Sequence, residues 1–263
     1  MVFILDPSGI ICLIGTYGAV IYADYVVIQW IIITAMPLSI WAPFHVVLFH
    51  AIVLLVFLSH SKAVFTDPGI VPLTTNRPDF SDLPSGEGHG SEWTVCSHCK
   101  AHRPPRAHHC STCQRCIRRM DHHCPWINNC VGEGNQKYFL QFLFYVAVLS
   151  FYSVALVLGS WVSPCTECNQ IVKQTQWMHT LILMFESAFF GLFVSFILMD
   201  QLHAILYDET AVEAIQHRGS YRPNLPKYQL LTEVFGPGHP ISWLLPCAKL
   251  KHSERHKPCV EDV

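Results

Sequence analysis

Long apolar runs alternate with polar, proline-rich ones along this chain, and the apolar runs are too long for strands. Four of them, roughly Ile10 to Thr34, Ile40 to Ser61, Tyr138 to Val162 and Met178 to Leu202, reach the roughly 20 residues that a helix needs to cross a bilayer core. The first holds one charged residue, Asp24, and the fourth holds Glu186 and, near its end, Asp200, whereas the second and third hold none. The pattern predicts an all-α polytopic membrane protein with four transmembrane helices.

The polar intervals differ from one another. Residues 62–95 are rich in Pro, Gly, Ser and Asp, including Asp67-Pro68-Gly69, and such turn formers make a linker. Residues 96–137 form a cysteine-rich module, and the third apolar run begins at Tyr138, so the module must lie against the membrane surface. A short loop, 163–177, precedes the fourth run. The tail, 203–263, carries turn signals and one amphipathic stretch around Tyr228 to Phe235.

Composition agrees with a membrane setting: 51% of the 263 residues are hydrophobic and 14% charged, against about 25% charged in a soluble domain. The N-terminus lacks Lys and Arg, and its apolar run far exceeds a signal-peptide core, so the first run is expected to stay in the mature protein. Of the 17 Lys and Arg, none lies in residues 1–61, nine lie in 62–137, one (Lys173) in 161–177 and seven in 204–263. By the positive-inside rule the middle module, the tail and, with an even number of spans, the N-terminus face the cytosol. The net charge of -2 adds nothing specific.

That topology sets the redox state of seven of the twelve cysteines, Cys96, Cys99, Cys110, Cys113, Cys116, Cys124 and Cys130, which all lie in the cytosolic module and stay reduced there. Reduced Cys and His with two-residue spacers read as a metal site. The run is Cys96-x2-Cys99-x9-His109-Cys110-x2-Cys113-x2-Cys116, followed by His123, Cys124 and Cys130. Structural zinc takes four Cys or His ligands. Two Cys3His sites use six cysteines and two histidines, leaving one thiol spare.

With Asp121-His122-His123-Cys124-Pro125-Trp126 inside it, the segment Cys96 to Cys130 resembles the DHHC cysteine-rich domain of protein S-acyltransferases (palmitoyltransferases), with overall similarity nearest to Golgi-type members. Asp67-Pro68-Gly69 after the second span, Asn135 and Phe139 after Cys130, and the four flanking helices extend the resemblance over most of the chain. It implies one structural Zn2+ on Cys96, Cys99, His109 and Cys116 and a second on Cys110, Cys113, His123 and Cys130. Cys124 is then the free cysteine. It implies further that Cys124 accepts a fatty acyl group from acyl-CoA and passes it to cysteines of membrane-associated proteins, in ping-pong fashion.

The chemistry of these side chains agrees. A thiol with pKa near 8.5 is mostly protonated at pH 7 and needs help to become the nucleophilic thiolate. His122 is the candidate base and Asp121 the residue that orients it, the logic of a nucleophile, base and orienter. Zinc does no Lewis-acid work on this reading; it makes a segment with little apolar core fold. The acyl chain should lie among the helices, with Leu149 of the third span as candidate chain-length stop. Arg103, Arg106 and His108 are candidate contacts for the acyl-CoA phosphates, beside their plain role on an anionic membrane flank. Trp126 is placed to shape the site or to anchor it at the interface.

Asp24 and Glu186 sit where ionisable groups are rare; they either line the acyl cavity or tie helices together, and tying is the expected role, because a fatty chain offers no polar partner. The stretch Glu209-Thr210-Ala211-Val212-Glu213 corresponds to a family Thr-Thr-x-Glu motif with the first Thr replaced, and Thr210 and Glu213 keep a structural role. Tyr228-Gln229-Leu230 before Val234-Phe235-Gly236 lacks the Asn usual in the family tail. Cys165 and Cys168, on the lumenal side, are either an oxidised pair or a coincidence; Cys247, Cys259 and the terminal Glu261-Asp262-Val263 receive no role.

The leading alternative is a membrane-anchored zinc-finger adaptor or ubiquitin-ligase-like module without acyl transfer. The His109-Cys110 and His123-Cys124 doublets do not match a RING ligand ladder. Small-transporter chemistry has thin support from Asp24 and Glu186. Nucleic acid is excluded as partner, because the chain is not basic and the module is tied to the membrane. The expected setting is a multi-pass protein of the endomembrane system, the Golgi by resemblance, with no Lys-Asp-Glu-Leu retrieval signal. Protein substrates, acyl preference and oligomeric state, a homo-oligomer included, stay open.

Overall fold

The computed structural model describes residues 3–36, 39–73, 93–163, 165 and 168–246. Four helices in it are long and apolar enough to cross a membrane. The first, α1, runs Pro7–Tyr25 and continues in wider π-helical turns over Val26–Ile33; α2 is Ala42–Phe65, α3 Gln136–Val162 and α4 Gln170–Leu206. The tail adds α5 (Ala211–Ile215), α6 (Lys227–Phe235) and α7 (Pro240–Trp243).

Two of the long helices, α1 and α4, start at a side chain that satisfies one of their free N–H groups. Asp6 accepts from Gly9 N at 2.8 Å with Pro7 in the first turn, and Asn169 accepts from Val172 N at 2.9 Å. Because Asn169 caps it, α4 begins at Gln170 and not at Met178. Its first two turns, Gln170 to Trp177, are mostly polar and helical, which the hydrophobic run alone does not reveal.

Apart from a 3-10 turn at Pro125–Ile127, the described part of the module between α2 and α3 is not helical. It holds three short antiparallel hairpins: β1 (Thr94–Cys96) with β2 (Ala101–Arg103), β3 (His108–Cys110) with β4 (Arg115–Ile117), and β5 (His122–Cys124) with β6 (Asn129–Val131). The fold is thus mostly helical, with small β elements confined to the segment of Cys/His clusters.

The module is fixed to the membrane helices by backbone pairing. The carbonyls of Ala63, Val64 and Thr66 at the end of α2 would lack partners, and the Asn129 amide donates to all three at 3.1–3.3 Å. Asn135 donates to Ala63 O at 3.1 Å as well. Pro68 prevents α2 from continuing. Asp67 Oδ1 then accepts from Gly69 N and Ile70 N, both at 2.8 Å, and Gly69 takes φ +107°, a conformation open to glycine. The turn so formed pairs with the module through Arg118 N to Gly69 O at 2.7 Å and Val71 N to Cys116 O at 2.9 Å.

The helices share an apolar core that includes Val26, Phe49, Val56, Phe139 and Val157 and reaches Cys124 and Ile127 of the module. In the tail, α6 packs Leu230 and Val234 against Leu140 of α3 and Ile205 of α4, so the departure at Gln229 does not prevent docking. Cys165 and Cys168 are joined as a disulfide. Cys247, Cys259 and the last three residues lie outside the described residues, as does most of the 62–95 linker.

Candidate active site

A strand turns successive side chains to opposite faces, and the hairpins use that alternation twice. On β3, His109 faces Cys116 across the hairpin while its neighbour Cys110 turns the other way. His109 and Cys116 join Cys96 and Cys99; Cys110 joins Cys113, His123 and Cys130. The candidate ligand atoms of each group all lie within 4.8 Å of one another. A zinc tetrahedron with sulfurs at 2.3 Å has edges of roughly 3.8 Å. Cys116 Sγ to Cys99 Sγ is 3.8 Å, Cys99 Sγ to His109 Nδ1 3.3 Å, Cys113 Sγ to His123 Nδ1 3.4 Å and Cys113 Sγ to Cys130 Sγ 3.4 Å. Both clusters therefore fit structural zinc, with imidazole Nδ1 as the nitrogen donor, and they are the two quartets expected from the sequence.

On β5 the same alternation separates ligand from free thiol. His123 crosses to Cys130 within the second cluster, whereas His122 and Cys124, two residues apart, share the other face. Cys124 belongs to neither cluster and is buried. His122 Nδ1 lies 2.7 Å from Asp121 Oδ2. Burial disfavours the His122 imidazolium, but the hydrogen bond to Asp121 and the nearby Cys124 thiol outweigh it and push the ring up to about 9.

Asp121 is almost wholly buried and takes hydrogen bonds on both oxygens. Besides His122, Gln201 Nε2 of α4 donates to Oδ2 at 2.8 Å, and the Ala211 N–H at the start of α5 donates to Oδ1 at 2.8 Å. Desolvation would raise this carboxyl, yet His122, Ala211 and Gln201 together hold it below its ordinary value. Neither Gln201 nor the Ala211 amide was expected from the sequence. The available signal was the Thr210 capping position, which aims the first amides of α5 outward.

Behind α5 lies a buried ion network. Thr210 and Glu213 form a capping box, and Arg106 grips Glu213 at 2.6 and 2.7 Å and Asp208 at 2.8 Å. Arg119 and Arg222 also reach Asp208, and Arg222 pairs with Glu233 of α6. Burial raises Asp208 and Glu213, but Arg222 and Arg106 at the first and Arg106 at the second bring both below their ordinary values. Arg106, expected as a phosphate contact, has its guanidinium paired with Glu213 and Asp208 of the tail and its face over Tyr221 at 4.5 Å. Arg103 is different, with Nε on Thr94 Oγ1 at 2.9 Å at the exposed edge of the module. His108 is half-buried, with no hydrogen-bond partner at Nε2 among the described residues.

From Cys124 an apolar cavity of about 240 Å³ runs between α1, α3 and α4. His122, Cys124, Pro125 and Trp126 form its mouth; Phe139, Leu143, Leu149 and Val194 are among its walls. Trp126 meets Phe190 edge to face at 6.1 Å, and its carbonyl lies 3.0 Å from Nε2 of His60, a fully buried histidine of α2 whose Nδ1 meets Tyr17 Oη at 3.1 Å. His60 too escaped sequence reading, being one histidine inside an apolar run. Leu149 lines the cavity, as expected. Asp24 lies 3.6 Å from His50 of α2, in keeping with a helix tie. Glu186 does not tie helices: it lines the cavity and has no hydrogen-bond or ion-pair partner among the described residues.

The arrangement offers a buried thiol, an imidazole held by a carboxylate, and an apolar space lined in part by the sulfur-bearing residue. Residues 89–218 match the family model described as DHHC palmitoyltransferase. Palmitoyltransferase ZDHHC3 of Homo sapiens is 35% identical over 252 residues, which cover 94% of this chain and 84% of that one. Palmitoyltransferase ZDHHC7 of Mus musculus is 33% identical, covering 93% and 80%. A probable protein S-acyltransferase 12 of Arabidopsis thaliana is 32% identical, covering 92% and 87%.

Proposed function

This chain belongs to the DHHC palmitoyltransferase family and is a protein S-palmitoyltransferase, and we propose that Cys124 is the nucleophile that carries the acyl group between acyl-CoA and protein cysteines. One observation supports this above others: Cys124 stands outside both zinc clusters, beside His122 and at the mouth of the apolar cavity. A zinc-bound thiolate has its charge neutralised by the metal; an unligated one is free to attack.

In the first half-reaction His122, held through Nδ1 by Asp121, takes the Cys124 proton on Nε2. The sulfur attacks the acyl-CoA thioester carbonyl, the C–S bond to CoA breaks, and His122 returns the proton to the departing CoA thiolate. Cys124 is then an acyl thioester with its chain in the cavity. In the second half-reaction His122 takes the proton of a substrate cysteine, whose thiolate attacks the Cys124 thioester and leaves Cys124 to be reprotonated. A thioester replaces a thioester each time, so the work lies in positioning and in thiol activation. Zinc holds the hairpins that present Cys124 and takes no part in these steps.

Arg103 and His108, with basic residues of the tail, are the proposed contacts of the CoA phosphates, and Leu149 the wall that limits chain length. Substrate proteins then need a cysteine near the membrane surface, because the module docks directly on the ends of α2 and α3. The distribution of Lys and Arg supports a cytosolic module and cytosolic termini. A Golgi address rests on the overall resemblance alone.

The test is incubation of purified wild-type and Cys124→Ser protein with labelled palmitoyl-CoA, followed by hydroxylamine and by zinc counting. Wild type is expected to carry hydroxylamine-labile label, and Cys124→Ser to lose it while keeping about two zinc ions per chain. Loss of zinc in Cys124→Ser, or no label on wild type, would make Cys124 a ligand or scaffold and leave the adaptor reading standing.

A further inference from the structure

The cavity described above is apolar along its walls, yet a carboxyl lines it. Its depth follows from the packing of α3 on α4. Gly191 abuts Ser150, since a Cβ on Gly191 would stand 2.9 Å from that of Ser150, and Trp161 Nε1 donates to Thr180 Oγ1 at 3.0 Å. From Ser150 to Trp161 and from Thr180 to Gly191 are both eleven residues. The two contacts therefore share one antiparallel register, which sets Glu186 level with Ala155.

The deepest α3 residue lining the cavity is Ser153, and Glu186 is the lining residue of α4 farthest from the module. At 1.5 Å per residue, Ala155 lies about 24 Å along α3 from Phe139, the ring beside His122. Glu186 thus stands at the end of the cavity lining farthest from the thiol. Ser153 and Ser187, also lining residues, lie within a turn of the same level. The Ser153 hydroxyl donates to Leu149 O at 2.8 Å and can still accept.

Resting on the acyl-transfer reading, we propose that Glu186, with Ser153 and Ser187, forms a polar seat for the far end of the acyl chain. It selects against saturated chains long enough to cover it and for chains whose tip carries a hydroxyl. The physical reason is asymmetric. An aliphatic tip pressed onto the carboxyl leaves it buried with no hydrogen bond, and an unpaired buried polar group is expensive. A shorter chain leaves room for water there. A terminal hydroxyl satisfies the carboxyl directly, whereas an all-apolar cavity end would reject that hydroxyl by roughly a hundred-fold.

The experiment measures Cys124 labelling in competition among saturated acyl-CoAs of increasing length and 16-hydroxyhexadecanoyl-CoA, for wild type, Glu186→Leu and Glu186→Gln. In wild type the hydroxylated chain is expected to compete with palmitoyl-CoA within a few-fold. Glu186→Leu is expected to raise labelling by chains longer than palmitoyl, relative to palmitoyl, by roughly ten-fold, and to lower the share of the hydroxylated chain by a similar factor. Glu186→Gln keeps a hydrogen-bonding tip and is expected to hold both ratios near those of wild type. Unchanged ratios in Glu186→Leu overturn the proposal. So does a wild type that excludes the hydroxylated chain by a hundred-fold, a result that needs no variant to fold. If no acyl-CoA labels Cys124 in wild type, the acyl-transfer reading fails and takes the seat with it; labelling with an insensitive profile removes the seat alone.

Discussion

Asp121 accepts hydrogen bonds from three parts of the chain: the neighbouring imidazole, Gln201 of α4 and the first amide of α5. A carboxylate held this way stays ionised and keeps His122 in the tautomer with its proton on Nδ1, leaving Nε2 to accept from Cys124. Asn at this position can present an amide N–H to Nδ1 and reverse that tautomer. Asp121→Asn is therefore expected to slow Cys124 acylation by about a hundred-fold or more while zinc content stays at the wild-type level. Rapid-mixing labelling with palmitoyl-CoA, beside metal analysis of the same samples, checks both halves; an Asn variant that labels at the wild-type rate removes the orienting role. The wall residue Leu149 belongs to this scale as well: Leu149→Ala opens the cavity below Val146 and is expected to shift labelling toward longer chains, read by the same competition.

At the scale of elements, the short helix α5 connects the tail to the segment that bears Asp121, His122 and Cys124. Its capping box positions the Ala211 amide on Asp121, and Arg106 of the module holds Glu213 from outside. Arg106→Ala leaves Glu213 buried without its cation and Asp208 with Arg119 and Arg222 alone, and removing one partner of such a network costs about 3 kcal/mol or more. The expected outcome is earlier thermal unfolding of the tail and module, with acylation slowed because α5 no longer seats Asp121; thermal melts together with labelling rates test it. Both carboxyls titrate below their ordinary values when folded. Their stabilisation is therefore complete at pH 7 and is lost as pH falls from the ordinary carboxylate range through the depressed folded values. Protease sensitivity of the tail is expected to rise on acidification in wild type and to change less in Arg106→Ala. Thr210 and Glu213 were legible in the sequence as a cap because the spacing of a capping box is local. Arg106, which pairs with Glu213 from 107 residues away, and Asp121, which accepts from the Ala211 N–H from 90 residues away, were not, since nothing in either stretch names the other.

For the whole molecule, the four long helices and the hairpin module are held by different forces. The helices are apolar and satisfy their own backbone groups; the module has hairpins of three residues per strand around two Cys/His clusters, too little surface to fold by burial alone. Removing zinc with a strong chelator is expected to expose residues 96–131 to protease and to abolish Cys124 labelling, while helical circular dichroism changes little. A loss of helicity in step with zinc would instead make the module and the bundle one cooperative unit. The spans, the metal module and its spare cysteine were readable from the sequence because hydropathy, ligand type and ligand spacing are properties of short stretches. Even the division of labour within His122-His123-Cys124 is a matter of strand alternation once β5 is known. Where the chain is brought together from distant segments, only the tertiary structure decides: Arg106 pairs with Glu213 of the tail, Gln201 reaches Asp121, His60 meets the Trp126 carbonyl, and Glu186 turns into the cavity. Each of these depends on the register between packed helices or on the docking of one segment against another, and a one-residue slip in either would assign the same side chain to lipid, core or site.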